Sequence, residues 1–102
     1  MMGKQGMVRE IAVLTIDPAQ AAGFEAAVAL ARPHFEAAKG FVSFALTRSI
    51  EHPERYRLEV GWENVEAHMV DFRQSFGFQE WRALASPFFE APPSVEHVVQ
   101  VI

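Results

Sequence analysis

The segment "RYRLEVGWE", residues 55 to 63, constrains the fold more than any other stretch of the chain. Tyr56, Leu58, Val60 and Trp62 alternate with Arg55, Arg57, Glu59 and Glu63, the period of a strand with one apolar and one charged face. A second β-rich run, "FVSFALTRS" at 41 to 49, precedes it across the short polar connection "IEHPE". So short a link makes the two strands an antiparallel hairpin. A sheet containing this hairpin needs other elements to cover its apolar face.

Upstream, "VREIAVLTI" (8 to 16) is rich in β-branched residues and stops at Asp17-Pro18. Asp17 suits an N-cap and Pro18 the first helical position, where a missing N–H costs nothing. Phe24, Val28, Ala31, Phe35 and Ala38 then recur at intervals of four, three, four and three, one apolar helix face that continues past Pro33. Proline crowds the carbonyl four residues earlier, so a kink or restarted turn is expected near Arg32 within one element. Gly40 is the expected C-terminal stop. Beyond the hairpin, Asn64 is read as the N-cap of a helix over about 65 to 75 carrying Val65, Met69, Phe72 and Phe76. An interruption is expected at Ser75 to Gly77, then a short helix with Phe78, Trp81, Leu84 and Phe88. Prolines 87, 92 and 93 end it, and "SVEHVVQVI" (94 to 102) closes the chain as a strand.

The order β-α-β-β-α-α-β with right-handed crossovers predicts an α+β, ferredoxin-like fold: a four-stranded antiparallel sheet with helices on one face. Ser43, Ala45, Thr47, Arg57 and Glu59 are expected on the bare face, with one set of the last strand's residues. Both sets of that strand hold aliphatics, Val95, Val99 and Val101 on one side and Val98 and Ile102 on the other. A second copy packed sheet to sheet would bury this face, so a homodimer is expected.

A chain of 102 residues, half of them hydrophobic, can bury one core covering roughly 60 to 70% of its unfolded surface, and a single domain over 1–102 follows. The net charge is −4 and the nine basic residues are scattered, so nucleic acid is not an expected partner. No cysteine is present, which removes disulfides, thiolate metal sites and thiol nucleophiles. No apolar run approaches the ~18 to 20 residues that span a bilayer. The opening "MMGKQGM" lacks the apolar stretch of a signal peptide. A cytoplasmic protein with loose residues 1–7 and no membrane partner is the expectation.

The segment "WENVEAHMVDFRQSFGFQEW" (62 to 81), followed by "PFFEAPPSVEH", resembles the antibiotic biosynthesis monooxygenase domain family. The resemblance extends from "EIAVLTIDP" through "GFVSFALTRS" and "LEVGWENVEAH" to the last strand, nearly the whole chain. It implies a dimeric α/β barrel of ferredoxin-like halves with a pocket between helices and sheet. In well-understood members, oxygen is added there to an electron-rich phenol or quinol without metal, flavin or haem. The family also holds quinol oxidases, haem-degrading enzymes and an isomerase-like branch, so membership alone does not name a reaction. The haem-degrading branch carries a ligating histidine where this chain has "FQEWRAL", and an asparagine on the first strand where "VREIAVLTI" has no amide. The polyketide-oxidising members use asparagine and tryptophan near the substrate, for which Asn64 and Trp62 are loose stand-ins.

Cofactor-free oxygenation needs a base, donors to hold the resulting anion, and walls that exclude water. His68 and His97 are the candidate bases, because imidazole titrates near neutral pH. The plainer alternative for His68 is a partly buried ring satisfied by a carbonyl or carboxylate; for His97, a place in the dimer interface. Trp62, Phe72, Phe76, Trp81 and Phe88 are candidate substrate-binding residues. The indoles can donate to a substrate oxygen or stack on a flat ring, while aromatics at helical spacing also simply fill cores. Arg73 follows Phe72 by one position and so is expected about 100° away from the pocket face. His34 and His52 are expected to be exposed. No HxxxH pair, glycine-rich phosphate loop or GxSxG elbow occurs, so no metal or nucleotide cofactor is expected. The first reading is therefore a cofactor-independent monooxygenase-like enzyme oxidising a small aromatic quinol or phenol. The second is a non-catalytic, small-ligand-binding or stress-associated dimer of the same fold, and the third an isomerase or hydrolase using the same histidine.

Overall fold

The computed structural model describes residues 7–102; the loose segment expected at 1–7 lies almost wholly outside the described residues. Strands β1 (Val8–Thr15), β2 (Phe41–Arg48), β3 (Arg55–Trp62) and β4 (Ser94–Val98) form one antiparallel sheet in the order β2-β3-β1-β4. Helices α1 (Ala21–Glu36) and α2 (Phe76–Ala85) pack against each other over one face of that sheet. This is the ferredoxin-like α+β fold that the alternation in β3 and the element order predict.

Local chemistry sets the boundaries. Asp17 accepts from the Ala19 N–H at 2.9 Å and Pro18 opens a single 3₁₀ turn that leads into α1. Helix α1 then runs unbroken through Pro33, which stands in its last turn and so removes one hydrogen bond near the end of the ladder. Gly40 adopts φ +80°, where an L side chain is strained, and turns the chain into β2.

The core is the apolar face of β3 closed by α1. Tyr56, Leu58, Val60 and Trp62 are all buried, as are Phe24, Val28, Ala31 and Phe35. Each of the large side chains contributes about 1.5 to 3 kcal/mol on burial. Phe35 is the meeting point: its ring lies 4.7 Å from Phe72, 5.0 Å from Phe44 and 5.3 Å from Trp81. Three separate elements thereby close on α1.

The region after β3 departs from its expected shape. Asn64 does cap the first turn, its Oδ1 accepting from Ala67 N–H at 2.8 Å. The helix then widens into a π-helical segment, Ala67–Phe72, in which Arg73 N–H donates to His68 O, and it ends before 75. Ser75 is the N-cap of α2, accepting from Phe78 N–H at 3.2 Å, rather than part of a break. Gly77 lies inside α2, where a Cβ would sit 3.2 Å from His34 Cβ and carbonyl oxygen; it lets α2 approach α1 closely.

The last strand is also shorter than expected. β4 pairs with β1 from Val13↔Ser94 to Arg9↔Val98, and residues 99 to 102 are exposed and outside the sheet. β1 begins at Val8, so the ladder has no length left to hold the whole of "SVEHVVQVI" extended. On the bare sheet face, Ser43, Ala45, Thr47 and Arg57 are exposed as expected, and Arg57 lies 3.5 Å from Glu59. Among the described residues no helix is long and apolar enough to cross a membrane.

Candidate active site

Along β1, Val8, Glu10, Ala12 and Leu14 point toward the helices, and the one carboxylate among them is as buried as its neighbours, 6% exposed. Register places Glu10 beside His97 of β4, with Val8 opposite Trp62 of β3. The π-helical segment lowers His68 onto the same spot. Trp62 Nε1–H donates to Glu10 Oε1 at 3.0 Å, and His68 Nε2 lies 3.3 Å from that same oxygen. The other nitrogen of His68, Nδ1, is 2.8 Å from His97 Nε2. Four elements thus assemble one line of groups: indole, carboxyl, imidazole, imidazole. Stacking of His68 on Trp62, with ring centres 5.6 Å apart and planes within 11°, fixes the orientation of the central ring.

Burial sets the charges of this line. Desolvation pushes the Glu10 carboxyl up to about 7, although the Trp62 hydrogen bond and the nearby Arg73 guanidinium pull the other way. Desolvation also presses His68 down to about 4, helped by His97 and Arg73. At neutral pH the Glu10–His68 contact is therefore a hydrogen bond between a carboxyl group and a neutral ring, not an ion pair. Glu10, His68 and His97 are joined end to end, and among the described residues no three His, Asp or Glu side chains are arranged to hold a metal ion.

The line opens on a cavity of about 430 Å³ between sheet and helices, a volume suited to a small ligand. Glu10, His68 and His97 line it, together with Ala12, Leu14, Leu58, Val95, Phe78, Trp81 and Phe89. Two arginines, Arg73 and Arg82, are also in its lining and are exposed at its rim.

The residues singled out from the sequence fall in different places. His68, His97 and Trp81 meet at the cavity. Trp62 is fully buried behind it and acts through Glu10 and His68. Phe72 is buried between Phe35 and Trp62, in the wall's second layer. Phe88 packs on Phe24 at the far end of the sheet, 5.9 Å between centres. Phe76 is 68% exposed, its ring against His34, which is half-buried rather than exposed; His52 is exposed. Arg73 is a correction: it lines the cavity, because the π-helical turn rotates each residue by less than the 100° assumed for an α-helix. Glu10 was not singled out at all. Its signal was present in β1, where it shares the parity of Val8, Ala12 and Leu14, and a charge on an apolar strand face asks for a partner.

Comparison with known proteins agrees with this architecture. The family described as antibiotic biosynthesis monooxygenase matches residues 7–84. The uncharacterized protein YczJ of Bacillus subtilis is 39% identical over 95 residues, covering 93% of this chain and all of that protein. A Bordetella bronchiseptica structure assigned by name to the antibiotic biosynthesis monooxygenases is 54% identical, with a TM-score of 0.93 over 96% of this chain and 100% of that one. Another so named, from Caulobacter crescentus, shares the fold at 24% identity, with a TM-score of 0.82 over 99% of this chain and 95% of its own. The family match over more than three quarters of the chain, with the 54% identical Bordetella structure of the same family name, establishes that the chain belongs to the antibiotic biosynthesis monooxygenase family.

Proposed function

We propose that this protein is a cofactor-independent monooxygenase that deprotonates a small aromatic quinol or phenol in the cavity and commits the anion to reaction with oxygen. The observation that carries this reading is the continuous contact from His97 through His68 to Glu10, ending on a carboxyl that burial pushes up to about 7. With Glu10 ionised, His68 Nε2–H donates to it and His97 Nε2–H donates to His68 Nδ1. The remaining nitrogen of His97 is then a free acceptor for the substrate hydroxyl. As the substrate proton arrives at His97, each imidazole hands on its own proton and Glu10 receives the last. No histidine needs to become charged, which matters because burial disfavours a charged His68. Glu10 thereby takes over, as terminal proton acceptor, the role expected of His68, which becomes the conductor. Trp62 positions the carboxyl, and Trp81 with the aliphatic walls limits water.

A non-catalytic ligand-binding dimer of this fold calls for a cavity without titratable groups; here three converge, which favours the enzyme. A second copy of the chain seated on the bare sheet face, making a homodimer, belongs to the same proposal. Support for it comes from Val13, Ala45 and Val98, which put apolar surface on that face between Arg57, Glu59 and Glu96.

The test is oxygen uptake by purified, metal-free protein with a series of quinols and phenols, run beside Glu10→Gln and His68→Ala. Uptake that needs both residues supports the relay; uptake indifferent to both removes it from the mechanism.

A further inference from the structure

The two arginines at the cavity rim carry no carboxylate partner among the described residues. Arg32 pairs with Glu36 and Arg57 with Glu59, but neither Arg73 nor Arg82 has a carboxylate within 4 Å among the described residues. Arg73 rests its guanidinium over the Phe78 ring at 5.8 Å, and its Nη1–H donates weakly to Met69 Sδ at 3.9 Å, contacts that hold the group at the rim without neutralising its charge. Among the described residues Glu10 is the one carboxyl in the lining, and Trp62 and His68 already occupy it. A chain of net charge −4 therefore has, at the mouth of this cavity, two unpaired cations from different segments, Arg73 after the π-helical turn and Arg82 from the last turn of α2.

From this juxtaposition we infer that the substrate is an aromatic acid, whose carboxylate binds Arg73 and Arg82 at the rim while its ring lies against Trp81 with its hydroxyl toward His97. This rests on the cavity being the substrate site proposed above. Guanidinium groups match a carboxylate in geometry and charge, and two of them in the lining of one cavity disfavour a cationic ligand and attract an anionic one. The arrangement also divides the labour: the rim orients the molecule by a group that does not react, and the buried end receives the hydroxyl proton.

The test compares 2,5-dihydroxybenzoate and 1,4-dihydroxy-2-naphthoate with their methyl esters, which keep the ring and hydroxyls and lose the charge. Binding is followed by tryptophan fluorescence under nitrogen, and oxygen uptake is measured separately. At low salt the acids should bind about fivefold to tenfold more tightly than the esters, a modest ratio because the rim is wet. The preference should shrink in Arg82→Gln, vanish in Arg73→Gln/Arg82→Gln, and decline with added salt. Esters that bind as well as the acids, acids that fail to bind, or a preference that survives the double substitution would overturn the inference. Acids bound selectively without oxygen uptake leave the inference standing and remove the oxygenase reading; esters oxidised as readily as acids do the reverse.

Discussion

Tyr56 and Trp62 lie six positions apart on the same face of β3, and each donates a hydrogen bond to a carboxyl group. Tyr56 reaches Glu25, on the solvent side of α1, at 2.6 Å; Trp62 reaches Glu10, under the helices, at 3.0 Å. Around Tyr56 the space is filled by Phe24, 4.9 Å away, with Phe88 behind it, and the contact simply ties helix to sheet. Beside Trp62 the helical layer lifts to leave a cavity, and the carboxyl there has been taken out of water with no arginine or lysine within 4 Å of it among the described residues. The same donor and acceptor chemistry thus makes a brace at one end of the sheet and, in the mechanism proposed, a proton acceptor at the other. What separates them is access to water.

The strongest way to break this contrast is at the acceptor. Glu10→Gln keeps the shape and the Trp62 contact but cannot take a proton, so turnover should fall by about 10²- to 10⁴-fold in an oxygen-uptake assay. Equal activity would reduce Glu10 to a second brace.

Stability against pH offers the next test. Glu10 has its folded pKa raised from 4.5 to about 7, so it opposes folding increasingly as pH climbs through that window and not at all below it. His68 has its folded value lowered from 6.5 to about 4, so it opposes folding at low pH and ceases to do so as pH rises through 4 to 6.5. The two effects offset each other in the wild type, which should have a nearly flat profile over pH 4.5 to 6.5. In Glu10→Gln the His68 slope is unmasked, and denaturant titrations should show stability rising by about 3 kcal/mol across pH 4 to 6.5. In His68→Gln it should instead fall by a similar amount across pH 4.5 to 7. Parallel profiles in the two variants would contradict the assignment.

Removing the donors sharpens the same comparison at smaller scale. Trp62→Phe leaves a buried carboxyl short of a partner and opens some space, so a loss of about 1 to 3 kcal/mol is expected by thermal or denaturant unfolding. Tyr56→Phe frees Glu25 to be hydrated and should cost about 1 kcal/mol or less. Smallest of all, Arg57→Ala at the Arg57–Glu59 contact should change monomer stability by well under about 1 kcal/mol. Its informative readout is mass by light scattering, which for a sheet-to-sheet homodimer should be twice 11.4 kDa in the wild type.

Much of the fold was legible because its signals are local. Alternation in β3, the Asp17-Pro18 start, the Phe24-to-Phe35 stripe and the Asn64 cap each depend on a few neighbouring residues, and each appears where expected. Two boundaries were not legible. The end of β4 depends on how much of β1 remains to pair with it, and the π-helical widening depends on how His68 and Phe72 must reach the sheet. That widening also brought Arg73, still exposed, round to the cavity rim instead of leaving it about 100° away from the pocket face.

By itself, then, the sequence determined the order of elements, the apolar side of each and the candidate histidines, because periodicity and capping are properties of the chain within a turn or a strand. Only the tertiary structure decided which aromatics fill and which line a cavity, and that a glutamate 58 residues before His68 is its partner. The physical reason is that proton affinity is set by what surrounds a group in space. Three strands and a helical turn, distant in sequence, had to exclude water from Glu10 before its carboxyl could be pushed up to about 7.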